Sequence, residues 1–317
     1  MLKDFLGIEF PVIQGGMQYL GVPEFAACVS NAGGAGTINR TCYDNNEDFA
    51  AALKKMQSLT DKPYIVNISL LPDANVGDNT IETINICGKY GVKAIETAGT
   101  NPKNLVDIIH ENNILHIHKV PAVRYALSAQ KAGVDAVTVV GYECGGHPGK
   151  YDAGSIVLTR KAAKELDIPV IAGGGYADGY GVAAAIAMGA AGVVMGTRFV
   201  ATKECMLHDN FKKMITQMDE NSTLLCQKSI NNAFRVADNE CARKCLEIEA
   251  KGDVTLDKLM PVISGARQVT AYENGDTDYC MFPMGMSAGL VDDIPTVQQL
   301  FDNMKAEYAD AILNLGR

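Results

Sequence analysis

The segment Glu143-Cys144-Gly145-Gly146-His147-Pro148-Gly149 holds one imidazole among residues with little bulk to bury it. Such a group can donate, accept or transfer a proton near neutral pH. Lys119 ends the β-rich run Leu115–Lys119, where its charge can stabilise an anion. Asn67 lies inside an apolar run, Tyr64–Ile68, and offers an amide to a ring or polyol; without a ligand it must be a buried, hydrogen-bonded strand residue. Two glycine turns supply a different chemistry. Gly173-Gly174-Gly175 and Gly196-Thr197 expose main-chain N–H groups without a Cβ in the way, and Thr197 adds a hydroxyl. These suit a phosphate, and a helix starting near Gly179 would add its positive dipole end. Either turn alone could be only a tight bend; two on successive strand ends favour phosphate. The turn Gln14-Gly15-Gly16-Met17 is a third stretch of bare backbone, in which Met17 could also be simple core packing.

Other candidates fall short. Gly149-Lys150 resembles the end of a P-loop, but Cys144 stands at the first glycine position and Tyr151 replaces Ser/Thr. Gly34-Ala35-Gly36 lacks the third glycine of the dinucleotide fingerprint. Cys144 has no second acid–base group evident beside His147 and reads as a small packed thiol. His116 and His118 alternate on one strand face, toward the surrounding helices. His110 ends a helix, and His208 lies in a late helical segment. Cys241 and Cys245 could share a helix face, but no second Cys or His pair completes a zinc set, so no metal is expected.

These residues need elements that bring them to one place. Eight β-rich runs precede Ala201: Pro11–Gln14, Ala35–Ile38, Tyr64–Ile68, Lys93–Thr97, Leu115–Lys119, Ala136–Val140, Pro169–Ala172 and Gly192–Met195. Helical spacing lies between them, as in Asp48–Ser58, Asn104–Asn112, Ala122–Ala132 and Gly179–Met188. The strands are nearly all apolar, as when both faces are covered. One phrase recurs: a helix ends in Gly91, Gly133 or Gly189, and an apolar strand follows. Eight alternations predict an α/β fold, a TIM (β/α)8 barrel, whose site lies at the C-terminal ends of its strands. Gln14–Met17, Asn67, Lys119, Gly145–Gly149, Gly173–Gly175 and Gly196–Thr197 all fall on that rim. The pattern changes after Thr202. Residues 203–275 are expected to form a helical insertion without strands, a lid over one face, and residues 1–202 with 276–317 the barrel. Thr296–Leu315 is expected to be an amphipathic helix that closes it.

Composition bounds the partners. The net charge of −9 over 317 residues leaves no basic stripe for nucleic acid. The most apolar stretch, Val182–Met195, is broken by two glycines and too short to span a bilayer, so no membrane insertion is expected. No basic signal region opens the chain, and nine cysteines are scattered, which predicts reduced thiols and a cytoplasmic location. A monomer or homodimer fits equally.

Taken together, the motifs resemble the nitronate monooxygenase-like flavoprotein family. They run from Pro11-Val12-Ile13-Gln14-Gly15-Gly16-Met17 through Val66-Asn67-Ile68, Gly145–Gly149, Ala172–Gly175 with Ala177-Asp178-Gly179, and Met195–Phe199, to Gly285–Leu290. Nitronate monooxygenases, an NADH:quinone reductase group and FMN-dependent enoyl-acyl-carrier-protein reductases belong to it. The segment around Cys144, with Leu70-Leu71-Pro72 and Glu96-Thr97-Ala98-Gly99, looks most like the quinone reductases. The resemblance implies bound FMN, with its phosphate on Gly174, Gly175, Gly196 and Thr197. It implies ring contacts from Gly15, Gly16, Met17, Asn67 and Lys119, and it sets His147 beside the reactive edge. Gln14, Gly145, Gly146 and Gly173 complete the expected cofactor site, with His147 and Lys119 as its catalytic groups. The expected reaction passes electrons from NADH or NADPH to a small-molecule acceptor, a quinone or a conjugated enone or enoyl group. The alternatives are oxidation of alkyl nitronates with oxygen, acyl-carrier enoyl reduction, and flavin binding without turnover. The loop Leu71–Asp78 is the expected gate for the nicotinamide.

Overall fold

A computed structural model describes residues 1–70 and 78–315. The expected gate Leu71–Asp78, apart from the backbone of Asp78, lies outside them. Eight parallel strands form the centre: β1 (Val12–Gln14), β2 (Gly36–Asn39), β3 (Tyr64–Ser69), β4 (Ala94–Ala98), β5 (Leu115–Val120), β6 (Ala136–Val140), β7 (Val170–Gly173) and β8 (Gly192–Met195). β1 pairs with β8, and an Ile13–Ala35 bridge joins β1 to β2, closing the cylinder. The eight expected strands are all present, with ends within a residue or two.

Helices alternate with the strands: α1 (Leu2–Leu6), α2 (Pro23–Asn31), α3 (Asn46–Leu59), α4 (Asp78–Lys89), α5 (Lys103–Glu111), α6 (Val123–Ala132), α7 (Ser155–Glu165), α8 (Gly179–Ala187) and α9 (Thr197–Val200). The glycines at three helix-to-strand joints adopt the left-handed backbone that residues with a Cβ resist: φ is 67° at Gly91, 100° at Gly133 and 96° at Gly189. α9 is only four residues long and cannot cover the outside of β8 and β1. The final helix, later α14 (Val297–Leu315), does so beside α8. The two helices cross so closely that a Cβ on Gly179 would lie 2.1 Å from the Met304 carbonyl. Phe301 packs there between Phe10 and Phe199.

Alternation along each strand sends every second side chain inward. Ile13, Ala35, Ile65, Ala94, Ile117, Ala136, Ile171 and Val194 form an apolar layer in the barrel, and Leu2 and Leu6 of α1 plug it from below. His116 and His118 take the opposite face of β5, as expected. Both rings lie 2.8 Å from the Thr97 hydroxyl. Burial pushes their pKa values down, to about 3 and about 4.

The segment 203–275 departs from the expected all-helical lid. Beside α10 (Asp209–Ile215), α11 (Glu240–Ala250), α12 (Leu256–Ile263) and α13 (Gly265–Asn274) it contains an antiparallel pair, β9 (Thr223–Cys226) and β10 (Phe234–Ala237). Each strand has four residues, too few to show a period of two, and the pair is stable only because Cys226 and Val236 pack with Cys241, Cys245 and Leu259 in a separate core.

Candidate active site

Going up each strand by one inward position exchanges the apolar layer for polar groups. Asn67 follows Ile65, Glu96 follows Ala94, Lys119 follows Ile117 and Thr138 follows Ala136. Glu96 is 3% exposed and stands at the centre. Its Oε2 accepts from Lys119 Nζ at 2.7 Å and from Asn67 Nδ2 at 2.8 Å, while Oε1 accepts from the Thr138 hydroxyl at 3.2 Å. A carboxylate this buried persists only when paired and hydrogen-bonded. Asn67 and Lys119 were expected at the site; Glu96 entered only through the motif Glu96-Thr97-Ala98-Gly99, without a role, and Thr138 not at all.

Gly16 rests on this cluster: a Cβ there would fall 2.5 Å from Asn67 Cγ. Gly15 donates from its N–H to the Met195 carbonyl at 2.8 Å, which joins the β1 turn to the β8 turn. Gln14 is fully buried; its Oε1 accepts from Thr37 N at 3.3 Å, and its Nε2 has no partner among the described residues. Met17 is half-buried and packs on the apolar core outside β1 and β8.

The two glycine turns lie on neighbouring strands. Gly174 and Gly175 have φ of 87° and 84°, a conformation costly for any residue with a side chain. Gly173 packs closely, since a Cβ would meet Val194 at 2.8 Å, whereas a Cβ on Gly196 would find nothing within 4 Å. Among the described residues no main-chain group takes up the N–H groups of Gly174, Gly175 or Gly196. The Thr197 hydroxyl accepts from Gly285 N at 3.0 Å and keeps its own proton to donate.

The helix dipole is arranged otherwise than expected. At the start of α8, Asp178 accepts from Gly181 N at 2.7 Å and Glu307 from Gly179 N at 2.8 Å. Two carboxylates therefore already occupy the positive end that was assigned to phosphate. α7 is capped likewise. Glu143 takes Ser155 N at 3.0 Å and the Ser155 hydroxyl at 2.9 Å, and that hydroxyl also lies 2.6 Å from the Gly174 carbonyl. The anion-binding capacity of this rim thus rests on the turns themselves.

His147 stands exposed at the rim, its ring 4.6 Å from that of Phe234 on β10 and tilted by 39°. Although the ring is open to solvent on one side, protein atoms around it desolvate the charged form and push its pKa below the usual imidazole range, so the neutral form dominates at pH 7. No hydrogen bond ties it to the other predicted residues. Its loop is held from above instead. Gly146 and Arg235 exchange main-chain hydrogen bonds of 3.0 and 2.6 Å. Arg235, 3% exposed, donates from Nε to the Tyr142 carbonyl at 3.0 Å and stacks its guanidinium 4.4 Å from the Tyr142 ring centre. Gly145 abuts Gly285, where a Cβ would lie 2.7 Å from the amide nitrogen. Burial raises the Cys144 thiol to about 12, which leaves no thiolate for nucleophilic work.

The family model described as Nitronate monooxygenase matches residues 1–307. The chain belongs to that family. Members of the nitronate monooxygenase family are FMN-dependent flavoenzymes, and this chain is an FMN-type oxidoreductase. It is 28% identical to an octahydroindene-carboxyl-CoA dehydrogenase of Rhodococcus jostii, over 99% of this chain and 97% of the relative. A probable nitronate monooxygenase of Staphylococcus saprophyticus is 27% identical over 99% and 98%. The solved structure of FabK from Thermotoga maritima is 34% identical, covers 99% of this chain and 97% of its own, and superposes with a TM-score of 0.90. The rim fits FMN on its own evidence: open space beside Gly196 and unclaimed N–H groups on two adjacent turns.

Proposed function

We propose that the chain is an NAD(P)H-dependent reductase that uses FMN to reduce a quinone or a conjugated enone or enoyl acceptor. Residues 1–202 and 276–317 form the cofactor-holding barrel, and 203–275 the lid that shapes the acceptor's pocket. The observation that carries this reading is the pair of glycine turns on β7 and β8, one strand away from a loop that lifts a neutral His147 to the rim. Bound FMN supplies the electron transfer between nucleotide and acceptor. The N–H groups of Gly174, Gly175, Gly196 and Thr197, with Gly173 giving clearance, hold its phosphate. Gln14, Gly15, Gly16, Met17, Asn67 and Lys119 seat its ring, and Lys119 stabilises negative charge there. Gly145 and Gly146 let the histidine loop lie close to the mouth. A neutral imidazole has one N–H to donate, so His147 orients an acceptor carbonyl by hydrogen bonding and relays a proton to it. The 34% identity to FabK, an enoyl-acyl-carrier-protein reductase, supports reduction of a conjugated acceptor, and the CoA dehydrogenase relative, named for an oxidation, supports only a CoA-linked substrate.

A second reading has its own support. The lowered pKa makes His147 a free base at neutral pH, suited to taking a proton from a neutral nitroalkane before oxidation by oxygen, and the staphylococcal relatives carry the nitronate monooxygenase name. Anaerobic mixing of the yellow protein with NADH and with NADPH separates the two. Fast bleaching, then recolouring by a quinone or enone, is the result expected. Indifference to both nucleotides, with oxygen uptake on an alkyl nitronate, would establish the second reading instead.

A further inference from the structure

Among the described residues, Glu96 is the charged group inside the barrel that the proposed chemistry does not use. We infer that Glu96 sets the charge that the site presents to FMN, masking Lys119 and fixing the amide of Asn67, and so holds down the midpoint potential of the bound cofactor. The inference rests on the reading that FMN occupies this mouth.

Packing does not explain the residue. The layer below is filled by Ala and Ile at the equivalent positions, and an apolar group at position 96 would serve the same space. A buried ion pair is seldom more stable than its apolar replacement, so stability is a poor reason for placing a carboxylate here. Its contacts have two consequences instead. First, Lys119 is half-buried at the top of β5, and its ammonium lies 2.7 Å from a carboxylate that is almost fully enclosed. What the mouth senses is the field of a close ion pair, much weaker than that of a bare cation. Second, a carboxylate only accepts. Asn67 must therefore turn Nδ2 to Glu96, which leaves its Oδ1 as the free end, an acceptor suited to a ring N–H. Contact between Gly16 and Asn67 keeps that amide in place. Glu96 is thus a positioning residue that acts through two neighbours. Thr138 holds the second carboxylate oxygen, so the group cannot swing away.

The test is the midpoint potential of the holoprotein, read by dye equilibration, with FMN affinity measured alongside. Glu96→Gln keeps the shape and removes the charge. Lys119 is then unmasked and favours the more negative, reduced cofactor. The expected shift is about tenfold in the ratio of reduced to oxidised affinity, or about 30 mV upward for a two-electron couple. The double variant Glu96→Gln with Lys119→Met removes both charges and should return the potential toward that of the wild type. An unchanged potential in Glu96→Gln, or a rise that persists in the double variant, overturns the inference while leaving the functional reading intact. A wild-type protein that takes up no FMN would bring down that reading, and this inference with it.

Discussion

The two inner layers of the barrel are built on the same strands and differ by one pleat, about 7 Å. Below, Ala35, Ile65, Ala94, Ile117, Ala136 and Ile171 interlock as a dry plug closed by α1. Two residues further along the same strands stand Thr37, Asn67, Glu96, Lys119, Thr138 and Gly173. The lower layer has no polar side chain to satisfy and gains its stability from packing. In the upper layer Glu96 binds three neighbours, and bare backbone opens beside it. The contrast teaches how one scaffold serves two ends: the apolar floor fixes the register, and the register brings Asn67, Lys119 and Thr138 onto Glu96. A low-dielectric floor also strengthens every electrostatic interaction made just above it.

The largest effect should come from the rim. His147→Ala is expected to lower turnover by about 10²–10⁴-fold, with FMN content and melting temperature nearly unchanged. Parallel steady-state kinetics and flavin absorbance check this, and a variant of wild-type rate would remove His147 from the chemistry. The floor should show the reverse pattern. Ile117→Ala, which opens a cavity between α1 and the polar layer, should cost about 2–5 kcal/mol of stability by denaturant unfolding, while surviving folded protein still binds FMN.

The outward face of β5 gives a third contrast. His116 and His118 are held neutral in the folded chain, at about 3 and about 4, against an ordinary value near 6.5. Between pH 6.5 and pH 4 the unfolded chain therefore binds more protons than the folded one. Stability contributed by these rings is full above pH 6.5 and is lost as the pH falls through that window. His118 alone accounts for roughly 2 to 3 kcal/mol by pH 4.5, and replacing both rings by Gln should flatten the pH dependence of unfolding there. The smallest effect is expected at Thr138→Val, which removes one of the three donors to Glu96 and should cost about 1 kcal/mol without releasing the cofactor.

Much of this was legible in the sequence because the strands of a covered parallel sheet are largely apolar runs and three helix-to-strand joints carry the same glycine, at Gly91, Gly133 and Gly189. Those signals are local. Glu96 was passed over for the opposite reason: inside Ala94-Ile95-Glu96-Thr97-Ala98 it looks like an interruption of the strand. Its meaning appears only when β4 is set in register, with Asn67 paired opposite Glu96 on β3. A single charged residue two places after an inward alanine is the signal that could have found it. Phe234 and Arg235 were invisible for a longer-range reason. Their strand has four residues, and their role comes from meeting residues 142–147, nearly a hundred positions away. The dipole end of α8 was assigned to phosphate because nothing local shows that Glu307, 128 residues after Gly179, reaches back to its N–H.

The account depends most on FMN phosphate lying against main-chain N–H groups at the β7 and β8 turns. Gly196 offers a direct test, since a side chain there meets no protein atom near its Cβ and its backbone φ of −108° suits other residues. FMN released per chain and FMN affinity should be measured for the wild type and Gly196→Val together with the melting temperature of each apoprotein. The account predicts one FMN per wild-type chain, at least about tenfold weaker binding in the variant, and apoprotein stabilities within about 0.5 kcal/mol. A colourless wild type that refuses added FMN, or a variant that binds FMN as tightly as the wild type, would contradict it.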